Sequence, residues 1–454
     1  MNKLIIEDFF NSDYVDSASY DNLRKIASLV DGQKNCNRKI VHTVLQRNIN
    51  KKTKVSRLQS SVSEETEYLH GEDGVGKVIV NMAQNFTGTN NIPLLQRNGN
   101  FGNRHSPTPS ASRYIYTQKE LYLDDVFNKY DTKVLEEQHF EGVKIEPKFY
   151  VPIIPLLLVN GSVGISTGFS QKILPRDPKH VISEIIKVAS GKKKLENVNM
   201  GLPYWIGFTG NIESDSETPN KWYVYGDIDV ENKNTIIVKE LPISYDLKKY
   251  LDVLETLVDK NVIVSYKDLS EDDRFLFKIK CKRELVDKNS KENILKKLKL
   301  VDQITENLTT IDEDNKIRVY DDINEIFIDY YNLRIKHYRL RKNSRIEDMQ
   351  RDISILESKY NFISMVVEGV IVVNNKSKKD IIKQLEKFTD EIIKIDDSYD
   401  YLLRMPIYSL SKEKMKELKD ALNNMKKELR DYKKKTLEEL WLDNLEELKN
   451  KLEL

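Results

Sequence analysis

The sequence predicts an α+β protein of several domains. At 454 residues the chain exceeds one compact core, and about two to four domains are expected at this length. Its pattern also changes twice along the chain. Short mixed segments run to about residue 150, a strand-rich stretch covers 151–320, and heptad-spaced helices fill 321–454. Glycine and proline punctuate the first two stretches and almost vanish from the third.

Lys and Arg number 73 against 72 Asp and Glu, for a net charge of +1. The total charge therefore indicates no partner; only its distribution can. The two cysteines, Cys36 and Cys281, are far apart. That favours reduced thiols in a cytoplasmic compartment over a disulfide scaffold or a zinc site. The opening MNKLIIEDFFNSD is too short in apolar length and too acidic for a signal peptide. The longest apolar run, Val151 to Val159, contains Pro152 and Pro155 and falls far short of a membrane span. The expectation is a cytosolic protein with no membrane partner.

In the first stretch, Asp21 to Val30 has helical spacing. Asn37 to Arg47 reads as a second helix, with Ile40, Val41, Val44 and Leu45 on one face and Arg38 and Lys39 at its start. Helix N-termini present free N–H groups that suit phosphates. A basic link, KKTKVSRLQSSVSEET, is expected as a loop or short strand, and Gly71 to Phe86 as a third helix. Helices joined by a basic turn and followed by a hairpin describe a winged-helix DNA-binding module. The alternative is a plain helical core with a solvated charged rim. Gly71 to Val78 nearly spells a nucleotide-binding loop, but Val78 stands where a Ser or Thr should hold Mg²⁺, and no apolar strand precedes it.

The middle stretch opens with VPIIPLLLVNGSVGISTGFS, read as an apolar strand entering a glycine turn. WYVYGDID, NTIIVKEL, VIVSYKD and FLFKIKCK are strand-like, and Tyr245 to Lys260 is helical. Asp227-Ile228-Asp229 has metal-binding spelling but reads as a strand-end turn, since Mg²⁺ needs several converging oxygens. In the last stretch, Ile346, Met349, Ile353, Leu356, Tyr360, Ile363 and Val367 alternate steps of three and four. Met415, Leu418, Leu422, Met425, Leu429 and Tyr432 form a second seam. These predict a long antiparallel helical pair with a small globule at its tip; Tyr331 to Val366 alone would reach roughly 54 Å.

The segment Pro93 to Tyr116, PLLQRNGNFGNRHSPTPSASRYIY, joins a glycine-rich loop to Arg97, Arg104, His105 and the pair Arg113-Tyr114. A tyrosine downstream of basic residues fits a nucleophile for phosphodiesters. A phenol with a reference pKa of about 10 needs cations nearby to attack, and the phosphate needs them to spread charge in the transition state.

Several runs, in this order, resemble the DNA breakage-reunion region of type IIA topoisomerases. They are MAQNFTGTNNIPLLQRNGNFGNR, SASRYIY, PIIPLLLVNGSVGISTGFS, ELP at Glu240 to Pro242, YYNLRIKHYRLRK and YDYLLRMPIYSLSKEK. Length and opening are similar to the separate medium subunit of T4-type bacteriophage topoisomerases. The resemblance implies a winged-helix domain over 1–150, a tower domain over 151–320, and coiled-coil arms over 321–454 with a C-gate globule near 368–412.

It implies that Tyr114 attacks the backbone to leave a 5′-phosphotyrosyl link, with Arg113 beside it and Arg38 and His70 holding the scissile phosphate. Ile165 would wedge between base pairs, and Lys34, Lys39, Lys77, Arg97 and Arg104 would contact DNA. Asn35-Cys36-Asn37 and Leu69 depart from the family's usual residues. No metal cluster or ATP site is found in the sequence. Mg²⁺ and ATP would therefore come with a larger partner subunit, and the chain would act as a homodimer on duplex DNA. Relaxation and decatenation are expected. The rival expectations are a non-enzymatic winged-helix and coiled-coil DNA scaffold, and an NTPase resting on Gly71 to Lys77.

Overall fold

The structure, a computed structural model, describes residues 10–271 and 274–452. The chain divides into two compact units. One runs through Ile335 and resumes at Trp441; the other is Lys336–Leu440.

In the first unit a π-helical turn, Phe10–Tyr14, leads into α1 (Val15–Lys25) and α2 (Asn35–Gln46), then β1 (Thr53–Lys54), α3 (Val55–Thr66) and α4 (Glu72–Ala83). Strands β2 (Leu95–Asn98) and β3 (Tyr116–Lys119) follow, in an antiparallel sheet of order β1-β3-β2. Helical spacing puts Ile40, Val41 and Val44 of α2, Val55, Leu58 and Val62 of α3, and Val75 and Ile79 of α4 in one core. Each such side chain stabilises the fold by about 1.5–3 kcal/mol. This is the expected winged helix.

The first helix lies earlier than its expected span of Asp21 to Val30. It stops at Lys25 because the apolar run Ile26 to Val30 is buried on all sides, not on one stripe. That run is extended instead, and Leu29 N–H donates to Ile311 O at 2.8 Å.

The expected strand before Gly161 is corrected as well. Leu156–Asn160 is a short helix that follows Pro155, and the strand starts only at Ser162. Leu156 to Val159 are all fully buried. A continuous apolar run carries no period that separates strand from helix.

Three successive carbonyls of the preceding segment are each claimed by a distant side chain. Arg334 donates to Val151 O at 3.0 Å, Tyr330 to Pro152 O at 2.6 Å, and Trp441 to Ile153 O at 2.8 Å. Buried backbone acceptors need such partners.

The strand-rich part holds a four-stranded antiparallel sheet. Its strands, in spatial order, are Asp227–Asn232, Thr235–Glu240, Phe277–Lys280 and Ser265–Asp268. The helix Leu247–Asp259 lays Tyr250, Leu254 and Leu257 on its Ile236, Val238, Phe277 and Ile279. A second sheet joins Asn211–Ser214, Lys221–Tyr225 and Val301–Thr305. Beside it, Arg176 and Glu306 form a fully buried ion pair at 2.8 Å, and Trp222 Nε1 donates to the same carboxylate at 2.8 Å.

The second unit takes in most of a 45-residue helix, Ile323–Val367, and the helix Lys412–Lys434. At 1.5 Å per residue the longer one spans about 68 Å. The two run antiparallel: Lys342 Nζ donates to Lys433 O at 3.0 Å, and Lys426 pairs with Glu357 at 2.5 Å. Of the seam, Met349, Ile353, Ile363, Leu418 and Leu422 are buried, whereas Val367 is exposed. The globule packs Phe362, Ile371, Leu385, Ile392, Tyr399 and Leu402 together.

His42 on α2 yields a pH prediction. Its Nδ1 lies 2.8 Å from the Tyr150 hydroxyl, and burial pushes its pKa from 6.5 to about 4. Between those values the unfolded chain binds a proton that the folded chain refuses. Stability should thus fall as pH drops from about 6.5 towards about 4. Thermal unfolding midpoints of His42→Gln should fall less over that range than those of the native chain. Identical acid sensitivity would assign the effect to other groups.

Candidate active site

The helix α3 fixes where the tyrosine turn goes. The first N–H groups of any helix lack partners inside it. Here Val55 N–H donates to Ile115 O at 3.1 Å, and Ser56 N–H donates to Ser112 O at 3.2 Å. Ile115 is anchored in the core, 1% exposed. With both flanking carbonyls held, Arg113 and Tyr114 point outward. Tyr114 is 69% exposed, and the Arg113 guanidinium lies 5.8 Å from its ring centroid. The turn closes with Tyr114 N–H on Ala111 O at 2.9 Å, two residues before β3 begins.

The long loop from β2 to this turn is ordered from within. Gly102 sits at φ +82, and a Cβ there would lie 2.4 Å from Pro107 O. No side chain fits that approach. Gln84 Nε2 donates to Phe101 O at 2.8 Å, which ties the loop to the end of α4.

His70 lies in the turn between α3 and α4. Its Nε2 is 3.0 Å from the Tyr20 hydroxyl, and its ring packs edge-on against Tyr68 at 5.6 Å. Burial, then the nearby Arg24 guanidinium, lowers the pKa of this imidazole. Burial pushes the nearby Tyr68 phenol up to about 12, against the lowering effect of the Arg24 charge. Tyr20, Arg24, Tyr68 and His70 line one recess of about 220 Å³. A histidine and an arginine converging on an open recess suit an anionic oxygen.

Arg24 and Tyr20 were missed by the sequence reasoning. A helix placed at Asp21 to Val30 leaves Tyr20 outside. The observed α1 puts Tyr20 and Arg24 four apart on one face, and only the fold brings that face to His70.

Ile165 ends the strand Ser162–Ile165, which pairs with Ser170–Ile173 as a hairpin. It is 77% exposed. At Gly164 a Cβ would come within 2.2 Å of Lys25 O, so the hairpin can lie against α1 only without a side chain there. Val163 and Phe169 are also exposed and extend the apolar tip.

The remaining candidates divide by burial. Arg97 on β2 and Lys77 on α4 are exposed and suit phosphate contact. Lys34 is half-buried, its Nζ 2.5 Å from Val163 O, and burial lowers its pKa.

Arg38, Lys39 and Arg104 are buried, and each already meets a carboxylate. Arg38 Nε meets Asp31 at 2.6 Å and its Nη2 the other carboxylate oxygen at 3.1 Å. Lys39 meets Glu146 at 2.9 Å and Thr66 O at 2.7 Å. Arg104 pairs with Glu240 at 2.5 Å and caps Leu241 O at 2.8 Å. Such a pairing offsets the cost of taking each cation out of water.

Among the described residues no group of three or more His, Cys, Asp or Glu side chains can hold a metal ion. Asp227 and Asp229 pair with Lys291 and Lys239 instead. Gly71 to Val78 forms no separate loop ahead of a helix, since α4 already begins at Glu72. No helix among the described residues is long and apolar enough to cross a membrane.

Comparison with known proteins agrees with this geometry. A family model described as the DNA gyrase/topoisomerase IV A-subunit matches residues 24–446. The mitochondrial DNA topoisomerase 2 of Dictyostelium discoideum is 32% identical over 458 residues, 98% of this chain and 35% of that protein. DNA topoisomerase 2-alpha of Homo sapiens is 32% identical over 485 residues, 97% of this chain and 31% of that protein. The structure of the Plasmodium falciparum topoisomerase II DNA-binding, cleavage and re-ligation domain superposes with a TM-score of 0.89 at 32% identity, covering 99% of this chain and 65% of that one. The chain spans about a third of the length of these full-length relatives. With a family model over most of its length and a matching fold, the chain belongs to the DNA gyrase/topoisomerase IV A-subunit family of type II topoisomerases.

Proposed function

We propose that this chain is the DNA breakage-reunion subunit of an ATP-dependent type IIA topoisomerase. The observation that carries this reading is the outward-held Arg113-Tyr114 turn, pinned on both sides by the N-terminus of α3. A side chain so exposed contributes little to the core. A rigid backbone beneath it suits a nucleophile that must meet a phosphorus at a fixed angle.

The Tyr114 oxygen attacks the phosphorus, and the phosphorus–O3′ bond breaks. The phenolic proton leaves, and the departing oxygen takes up a proton as a free 3′-hydroxyl. The strand stays bonded to Tyr114 through its 5′ phosphate, and reversal rejoins it. His70 and Arg24 seat a phosphate; Arg38 instead holds the chain entering α2 in shape through Asp31. Ile165 opens a base step, at a cost of a few kcal/mol offset by contact along bent DNA.

Two copies act together, each cutting one strand, with the long helices and their globule as the exit gate. A twofold dimer suits a pair of symmetric cuts. The described residues do not fit Mg²⁺ or ATP, so both enter this reading only on a large partner subunit that carries the metal-binding and ATPase domains. The outcome is strand passage, giving relaxation and decatenation during DNA replication.

Tyr114→Phe, mixed with that partner, should bind DNA as the native chain does and yield no protein-linked 5′ ends on denaturing gels. Covalent complexes persisting in this variant would reject the nucleophile. Absence of protein-linked ends from the native chain as well would favour a DNA-binding scaffold.

A paired comparison separates the two arginines. Arg24→Ala should lower cleavage about 10-fold or more, the scale of one lost charge-assisted contact, and leave the unfolding midpoint unchanged. Asp31→Ala, which strands Arg38, should destabilise the fold by about 3–5 kcal/mol in urea titrations. Native cleavage by Arg24→Ala would remove Arg24 from the phosphate seat.

A further inference from the structure

Helix α1 touches both halves of the proposed DNA site. Tyr20 and Arg24, four residues apart, face His70 and Tyr68. The adjacent face holds the turn of the Ile165 hairpin. Asp21 Oδ2 accepts from both Thr167 N–H and Thr167 Oγ1, each at 3.0 Å. Asn22 Oδ1 accepts from Ser166 Oγ at 2.5 Å. Lys25 pairs with Asp21 at 2.9 Å, and its carbonyl abuts Gly164. An 11-residue helix moves as one rigid body, so a tilt of the hairpin must move the face that carries Tyr20.

We propose that Asp21 is a positioning residue: through its bonds to Thr167, helix α1 transmits displacement of the Ile165 hairpin to His70 and Arg24, so that the phosphate is seated only on bent DNA. This rests on the reading of Ile165 as a wedge and His70 as a phosphate contact. The linkage is local. It runs through one helix and needs no path across the core.

The test uses the full chain with a short duplex carrying donor and acceptor dyes at its ends, and histidines labelled at the ring ε carbon. Six histidines make the His70 signal assignable with His70→Gln. Energy transfer reports bending, and the His70 signal reports phosphate seating. In the native chain DNA should raise energy transfer and shift His70.

Asp21→Ala, which removes both bonds, should keep the bend and lose the shift, and Thr167→Val, which removes the hydroxyl bond and keeps the N–H one, should keep the bend and weaken the shift. The double variant should lose no more than Asp21→Ala alone, because that change already removes both bonds to Thr167. Asp21→Asn, which retains an acceptor, should restore the shift, and Lys25→Met should leave it native. Thr167→Val lies outside α1, so it reports on the link even where Asp21→Ala disturbs the helix.

A native shift in Asp21→Ala and Thr167→Val would overturn the proposal. So would loss of bend and shift in equal proportion. A failed wedge reading would show separately, as native bending in Ile165→Ala.

Discussion

Two backbone hydrogen bonds at the N-terminus of α3 set the terms for the whole site. They satisfy donors that any helix would otherwise leave open, and they take their acceptors from either side of Arg113-Tyr114. The same contact therefore caps a helix and presents a phenol. It also explains why the tyrosine lies at the root of a wing. The strand β3 fixes the backbone on one side, and the ordered glycine loop holds the other.

Burial sorts the cations into two kinds. Arg38, Lys39, Arg104 and Arg176 are all buried and each meets a carboxylate. Each of these pairs ties segments distant in sequence, or the chain entering a helix, at the cost of desolvating two charges. Arg24, Lys77, Arg97 and Arg113 remain in reach of solvent. A polyanion gains most from cations that keep their charge uncompensated until it arrives. The net charge of +1 conceals this division.

Much of the fold was legible because its signals are periodic. The amphipathic spacing of α2 and the two heptad seams predict helices close to their observed spans. Glycines and prolines mark the wing loop. What the sequence left open was decided by tertiary contact. Leu156 to Val159 is apolar at every position, so nothing in its pattern separates strand from helix.

For the site, Tyr114, Arg113, His70 and Ile165 were named from local motifs, and the structure leaves Tyr114 and Ile165 exposed. Arg38 and Arg104 were named for the same reason, but their partners Asp31 and Glu240 are matched to them only by the fold. Arg24 carries no local motif, and what marks it is its place beside Tyr68 and His70.

The central claim is that the phenol at position 114 bonds to DNA. Its most direct measurement is mass spectrometry of a proteolysed, trapped complex made with the partner subunit. A nucleotide joined through its 5′ phosphate to Tyr114, with the opposing DNA end a free 3′-hydroxyl, is the result this account predicts. An adduct on any other residue, or a link through a 3′ phosphate, would contradict it.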